Sequence, residues 1–96
     1  MPDKPKCTVM FFYSNVNQES IKTRVLINEF MKTHYGRYQI QIEEVNYDKE
    51  IIVSRQYGVT GTPALLFLKN QKLIRRHFGE ITAEEFQSII DNFFIN

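Results

Sequence analysis

The run Cys7-Thr8-Val9-Met10-Phe11-Phe12-Tyr13 is almost unbroken in apolar residues, and Ala64 to Lys69 repeats the pattern late in the chain. A strand with one wet face alternates apolar and polar side chains; a strand without that alternation fits burial on both faces. Such strands belong to a sheet with helices packed on it, an α/β architecture. The chain has 96 residues, enough for one core and too few for two independent ones. Eight Phe and five Tyr supply the bulk for that core. Residues 1–6, with two prolines and mixed charge, read as a short flexible lead-in, and residues 7–96 as a single domain.

Charge and cysteine content exclude several classes of function. The net charge is +1 with acids and bases interspersed, so no nucleic-acid partner is expected. The densest basic stretch, Lys69 to Arg76 with Lys72, Arg75 and Arg76, reads as a solvated hairpin that guards a sheet edge. No apolar run reaches membrane-spanning length, so no membrane partner is expected either. Met1 to Lys6 lacks the apolar segment of a secretory signal, which makes a cytoplasmic location the expectation. Cys7 is the one cysteine, so an intramolecular disulfide and a multi-cysteine metal site are both excluded. His34 and His77 lack zinc-site spacing, and no metal or cofactor is expected.

Local signals order the elements. Ser14-Asn15-Val16-Asn17 is a loop, with Asn17 as N-cap of a helix and Glu19 near its positive end. Ile21, Val25, Ile27, Phe30 and Met31 recur near helical period, and Gly36 ends the segment. Residues 40–46 alternate as a second strand. Asp48 is placed to cap a short helix running to about Tyr57, stopped by Gly58. Strand Ala64 to Lys69, a turn at Asn70-Gln71 and strand Leu73 to Phe78 form a hairpin. Thr82-Ala83-Glu84-Glu85 is a capping box for a last helix that buries Phe86, Ile89, Ile90 and Phe93. The predicted order is β-α-β-α-β-β-α. The first two strands are parallel and the last two antiparallel, in a four-stranded mixed sheet with helices on both faces.

Tyr57-Gly58-Val59-Thr60-Gly61-Thr62-Pro63-Ala64-Leu65-Leu66-Phe67 and the Lys69-Asn70 turn resemble the proline loop and following strand of the thioredoxin superfamily. Asn46-Tyr47-Asp48 and Phe78-Gly79 are similar to further family segments, and the likeness covers roughly residues 7–95. It implies a thioredoxin-like three-layer sandwich of the minimal, glutaredoxin-like kind, without thioredoxin's extra N-terminal strand and helix. It also implies a cis bond before Pro63, with Gly58 and Gly61 fitting the sharp turns of the same loop.

The same resemblance exposes a gap. Ungapped alignment of the first strand sets Asn17-Gln18-Glu19-Ser20 where the family has Cys-x-x-Cys. Family chemistry needs a low-pKa thiolate at a helix N-terminus attacking a disulfide sulfur. An amide at Asn17 is no nucleophile, and a hydroxyl at Ser20 has no redox chemistry. The positions matching the family's buried acid and its lysine partner hold Phe11 and Glu44. Cys7 lies about 20 Å away along the strand, at the wrong end, and reads as a small apolar residue. Ser20 lacks a base: His34 is about 21 Å farther along the same helix, and His77 is a strand too far.

These readings point to a redox-inactive thioredoxin-like module that binds a protein or peptide. In the family an extended peptide lies against the residue before the cis-proline, held by backbone bonds that need no thiol. Here the matching surface is Val16, Asn17, Thr62, Pro63, Phe78 and Gly79. The alternative is a redox protein that borrows a thiol from glutathione or a partner, because glutathione sites of related folds also use the Thr-Pro step.

Overall fold

The computed structural model describes residues 6–34 and 39–95, with residues 93–95 as a backbone path alone. The two apolar runs are the inner strands of the sheet. Strand β1 (Cys7–Tyr13) lies between β2 (Ile40–Asn46) and β3 (Ala64–Lys69), and β4 (Lys72–Phe78) closes the order β2-β1-β3-β4. β1 runs parallel to β2 and antiparallel to β3, and β3 pairs antiparallel with β4. Every residue of β1 except Tyr13 is buried, which is why the run shows no alternation.

The two faces of the sheet carry separate cores. Val9, Phe11, Leu65 and Phe67 project toward Ile27 and Phe30 of α1 (Gln18–Thr33) and toward Phe86 and Ile89 of α3 (Ala83–Ile89). Met10, Phe12, Ala64 and Leu66 form the opposite cluster with Val59. The segment holding α2 (Ile51–Gln56) covers that second face, with the Tyr57 ring 6.1 Å from Phe12. The result is the expected α/β sandwich of order β-α-β-α-β-β-α.

Several local expectations change. The buried stripe of α1 is Ser20, Thr23, Ile27 and Phe30, while Ile21 and Val25 are exposed. Each residue turns the helix by about 100°, so a residue beside the stripe leaves the core whatever its hydropathy. Thr23 tolerates burial because its hydroxyl donates to the Glu19 carbonyl at 2.8 Å. The helix ends at Thr33, and the expected stop at Gly36 lies outside the described residues. Asp48 does not cap α2. Glu50 holds the N-cap position without a side-chain bond, and Asp48 accepts the Ser14 hydroxyl instead. Gly58 does end that helix in the left-handed region, at φ +77°. Gly61 has no such φ, and a Cβ there would meet nothing within 4 Å.

The hairpin turns on Asn70 and Gln71, both at positive φ, as a two-residue turn with matching twist requires. Asn70 also holds Lys6: its N–H donates to the Lys6 carbonyl at 2.8 Å, and its side chain accepts the Lys6 N–H at 2.9 Å. The capping box forms as expected, with Thr82 Oγ1 accepting from Glu85 N–H and Glu85 accepting from Thr82 N–H, both at 3.1 Å. α3 then passes into a π-helical turn over Ile90–Ile95, and the Phe93 side chain lies outside the described residues.

The Thr82 backbone bond lowers the Glu85 carboxyl below the ordinary glutamate value. A depressed carboxylate stabilises the fold fully above its unfolded pKa and loses that contribution as pH falls through the folded one. An NMR titration should place Glu85 below the ordinary glutamate value. A Glu85 midpoint at that ordinary value would show the box is not held in solution.

Candidate functional site

Three strand ends and a helix start converge at one end of the sheet. Ala64 opens β3 opposite both Phe12 of β1 and Phe78 of β4. The loop from Ser14 to Asn17 leaves the adjacent end of β1 and enters α1. The Ser14 and Asn17 side chains are spent internally. Asn17 Oδ1 accepts the Ser20 N–H at 2.7 Å, so the N-cap predicted from the residue type is present. Ser20 Oγ accepts the Ser14 N–H at 3.1 Å, and the Ser14 hydroxyl donates to Asp48 Oδ2 at 2.8 Å. Ser20 is 2% exposed. A buried oxygen that satisfies a backbone N–H is a structural acceptor, and this role for Ser20 was not read from the sequence. Nor were Ser14 and Asp48, whose bond joins positions 34 residues apart and leaves no local signal.

Beside this loop stands the Thr62–Pro63 step, whose peptide bond is cis. The Pro63 carbonyl accepts the Gly79 N–H at 2.9 Å, so the chain after β4 is stitched to the chain before β3. Gly79 has φ +88°, a conformation side chains disfavour. Glu80 pairs with Lys22 of α1 at 3.8 Å, an exposed contact. Pro63 is buried and Thr62 half-buried, whereas Val16 is 90% and Phe78 54% exposed. Two apolar side chains are thus left in water at the end of the sheet that holds the Thr62–Pro63 step.

The positions that the resemblance assigns to a buried acid and a lysine are direct cross-strand neighbours, Phe11 opposite Glu44. Phe11 is fully buried and brings no proton. Glu44 turns to Arg24, whose Nε–H and Nη2–H donate to its two oxygens at 3.3 and 3.2 Å. The Arg24 guanidinium lies 4.3 Å from the Tyr13 ring centroid and 5.8 Å from that of Phe11. The sequence reading missed Arg24, because the contact depends on where α1 crosses the sheet.

Other reactive side chains stand apart. His34 stacks on Phe30 with ring centroids 4.3 Å apart, at the far end of α1 from Ser20. His77 Nε2 is 2.8 Å from the Glu80 carbonyl. Among the described residues no group of three His, Cys, Asp or Glu could hold a metal ion. Cys7 is buried opposite Lys69 at the other end of β1. Burial raises its thiol pKa and nearby Lys69 offsets part of that rise. In the folded protein Cys7 should therefore react with a chromogenic disulfide reagent far more slowly than in denaturant. Equal rates in the two states would show that the strand end opens freely.

A family model described as a thioredoxin-like domain matches residues 1–94 of the chain. The chain belongs to the thioredoxin-like domain family. Solved structures agree at the level of fold. Thioredoxin-2 of a malaria parasite, described as a component of its protein secretion machinery, is similar at a TM-score of 0.81 and 20% identity, covering 94% of this chain and 85% of its own. A second malarial protein gives 0.80 and 21%, covering 90% and 94%. A mutant thioredoxin from Halobacterium salinarum gives 0.83 and 12%, covering 93% and 75%. No curated protein matches the chain. This thioredoxin-like domain has one cysteine and no Cys-x-x-Cys, and Asn17 and Ser20 stand at the start of α1. No described helix is long and apolar enough to cross a membrane.

Proposed function

We propose that this thioredoxin-like domain is a redox-inactive module that binds an extended protein or peptide segment on the surface of Val16, Asn17, Thr62, Pro63, Phe78 and Gly79. The observation that carries this reading is the exposure of Val16 and Phe78 at the end of the sheet where Pro63 and Gly79 are joined. Exposed apolar side chains beside accessible backbone suit strand-like capture of a peptide, with main-chain bonds for affinity and pockets for selectivity. The helix start offers no thiol, and Asn17 and Ser20 are committed to the loop.

Panning a random-peptide library on the folded domain should select extended apolar sequences. Their binding should perturb the amide resonances of Val16, Thr62 and Gly79. Phe78→Ala should weaken them about tenfold or more, as loss of a central apolar anchor does. Resonance changes confined to another surface would refute the assignment. The domain should also reduce insulin disulfides no faster than the dithiol added to drive the assay, with Cys7→Ser behaving the same.

A further inference from the structure

Strand β4 carries cations of one sign only. Lys72, Arg75 and Arg76 stand in its seven residues, and no Asp or Glu does. β4 ends the sheet order, so among the described residues β3 alone pairs with it and its outer backbone groups have no ladder. The register sets Leu73 opposite Leu68, Arg76 opposite Leu66 and Phe78 opposite Ala64. The shift between Phe67 and Leu68 lets Leu73 and Arg76, three residues apart, share a face. That face of the open edge reads apolar, cationic, apolar. Leu73 and Phe78 are 37% and 54% exposed, and Lys72 and Arg76 join no ion pair among the described residues.

We propose that the open edge of β4 receives an extended acidic segment of a partner protein as a fifth strand. Main-chain bonds to an edge give affinity, and alternate side chains give selectivity. A carboxylate across from Arg76, between apolar residues beside Leu73 and Phe78, complements the face in both charge and hydropathy. A second copy using the same edge would set cations against cations, the arrangement by which proteins block edge-to-edge pairing. A second copy using β2, with Glu43 and Glu44, would build an open head-to-tail chain, and Glu44 is already engaged by Arg24. This edge stands independently of the Val16–Thr62 surface, although Phe78 borders both.

The test is fluorescence anisotropy with labelled peptides of about eight residues, enough to span one strand, whose every second position reads valine, glutamate, valine or valine, lysine, valine along one face. Valine–glutamate should bind, valine–lysine should not, and amide shifts should centre on Lys72 to Phe78. Raised salt should weaken binding, and Arg76→Glu should weaken it about tenfold or more, as removal of a matched interfacial charge does. Val16→Ala, a change outside β4, should leave it unchanged. Equal binding of acidic and basic peptides, indifference to Arg76→Glu, or no binding would overturn the proposal. Loss of acidic-peptide binding in Val16→Ala would overturn it by moving the peptide to the other surface. Self-association abolished by both Arg76→Glu and Glu43→Lys would make a second copy the occupant and overturn it as well.

Discussion

Replacing Phe86 with alanine should lower the unfolding free energy by about 3–5 kcal/mol, the range for deleting a buried Phe side chain. Phe86 is fully buried on α3, edge-on to Phe30 of α1 at 4.9 Å and 6.0 Å from Phe67 of β3. Its ring meets a helix on the same face and the inner sheet at once, so the space it leaves is walled by elements that cannot all close in. Phe86→Leu should cost less than Phe86→Ala, because the penalty grows with the volume left empty, at about 24 cal/mol per Å³. Urea unfolding curves for the two variants measure both losses. A loss below about 1 kcal/mol for the alanine variant would mean that α3 is not docked as described.

The second large effect is at the helix start. Ser20→Ala should destabilise by about 1–3 kcal/mol, because the buried Ser14 N–H keeps its position and loses its acceptor. Asn17→Ala removes the cap on Ser20 N–H and should cost about 1 kcal/mol. The two changes act on one loop, so their sum should not be additive. The exposed neighbour Gln18→Ala should stay within about 0.5 kcal/mol. If Ser20→Ala proved as mild as Gln18→Ala, water would be reaching Ser14 and the loop would be open. The same bonds bear on any attempt to install a dithiol. Asn17→Cys with Ser20→Cys removes the cap and the acceptor together, so the oxidised protein should be less stable at this loop than its sequence alone suggests.

What was legible in the sequence was local or periodic. The unbroken run in β1 marked a strand buried on both faces, because alternation vanishes only when both faces are dry. Asn17 and the Thr82–Glu85 box act within a single helical turn, so residue type and spacing were enough to place them. The Asn70-Gln71 turn is likewise a two-residue matter. Side-chain identity at residues 17 and 20 also decided, before any geometry, that no thiol stands at the helix start.

Tertiary structure decided which apolar residues stay wet and which polar ones go dry. Ile21 and Val25 look like core and are exposed, while Ser20 and Thr23 look like surface and are buried. Hydropathy alone cannot fix a helix's rotation against a sheet when polar groups satisfy themselves: Thr23 bonds back to Glu19, and Ser20 accepts from Ser14. Asp48 lost its expected capping role because Ser14, distant in sequence, was brought within bonding distance. The Arg24–Glu44 pair over Tyr13 and the bond from Gly79 to Pro63 have the same origin. Each joins residues that strand order and the packing of helices and loops on the sheet make neighbours. Strand adjacency is a property of the packed whole, so no window of the sequence contains it.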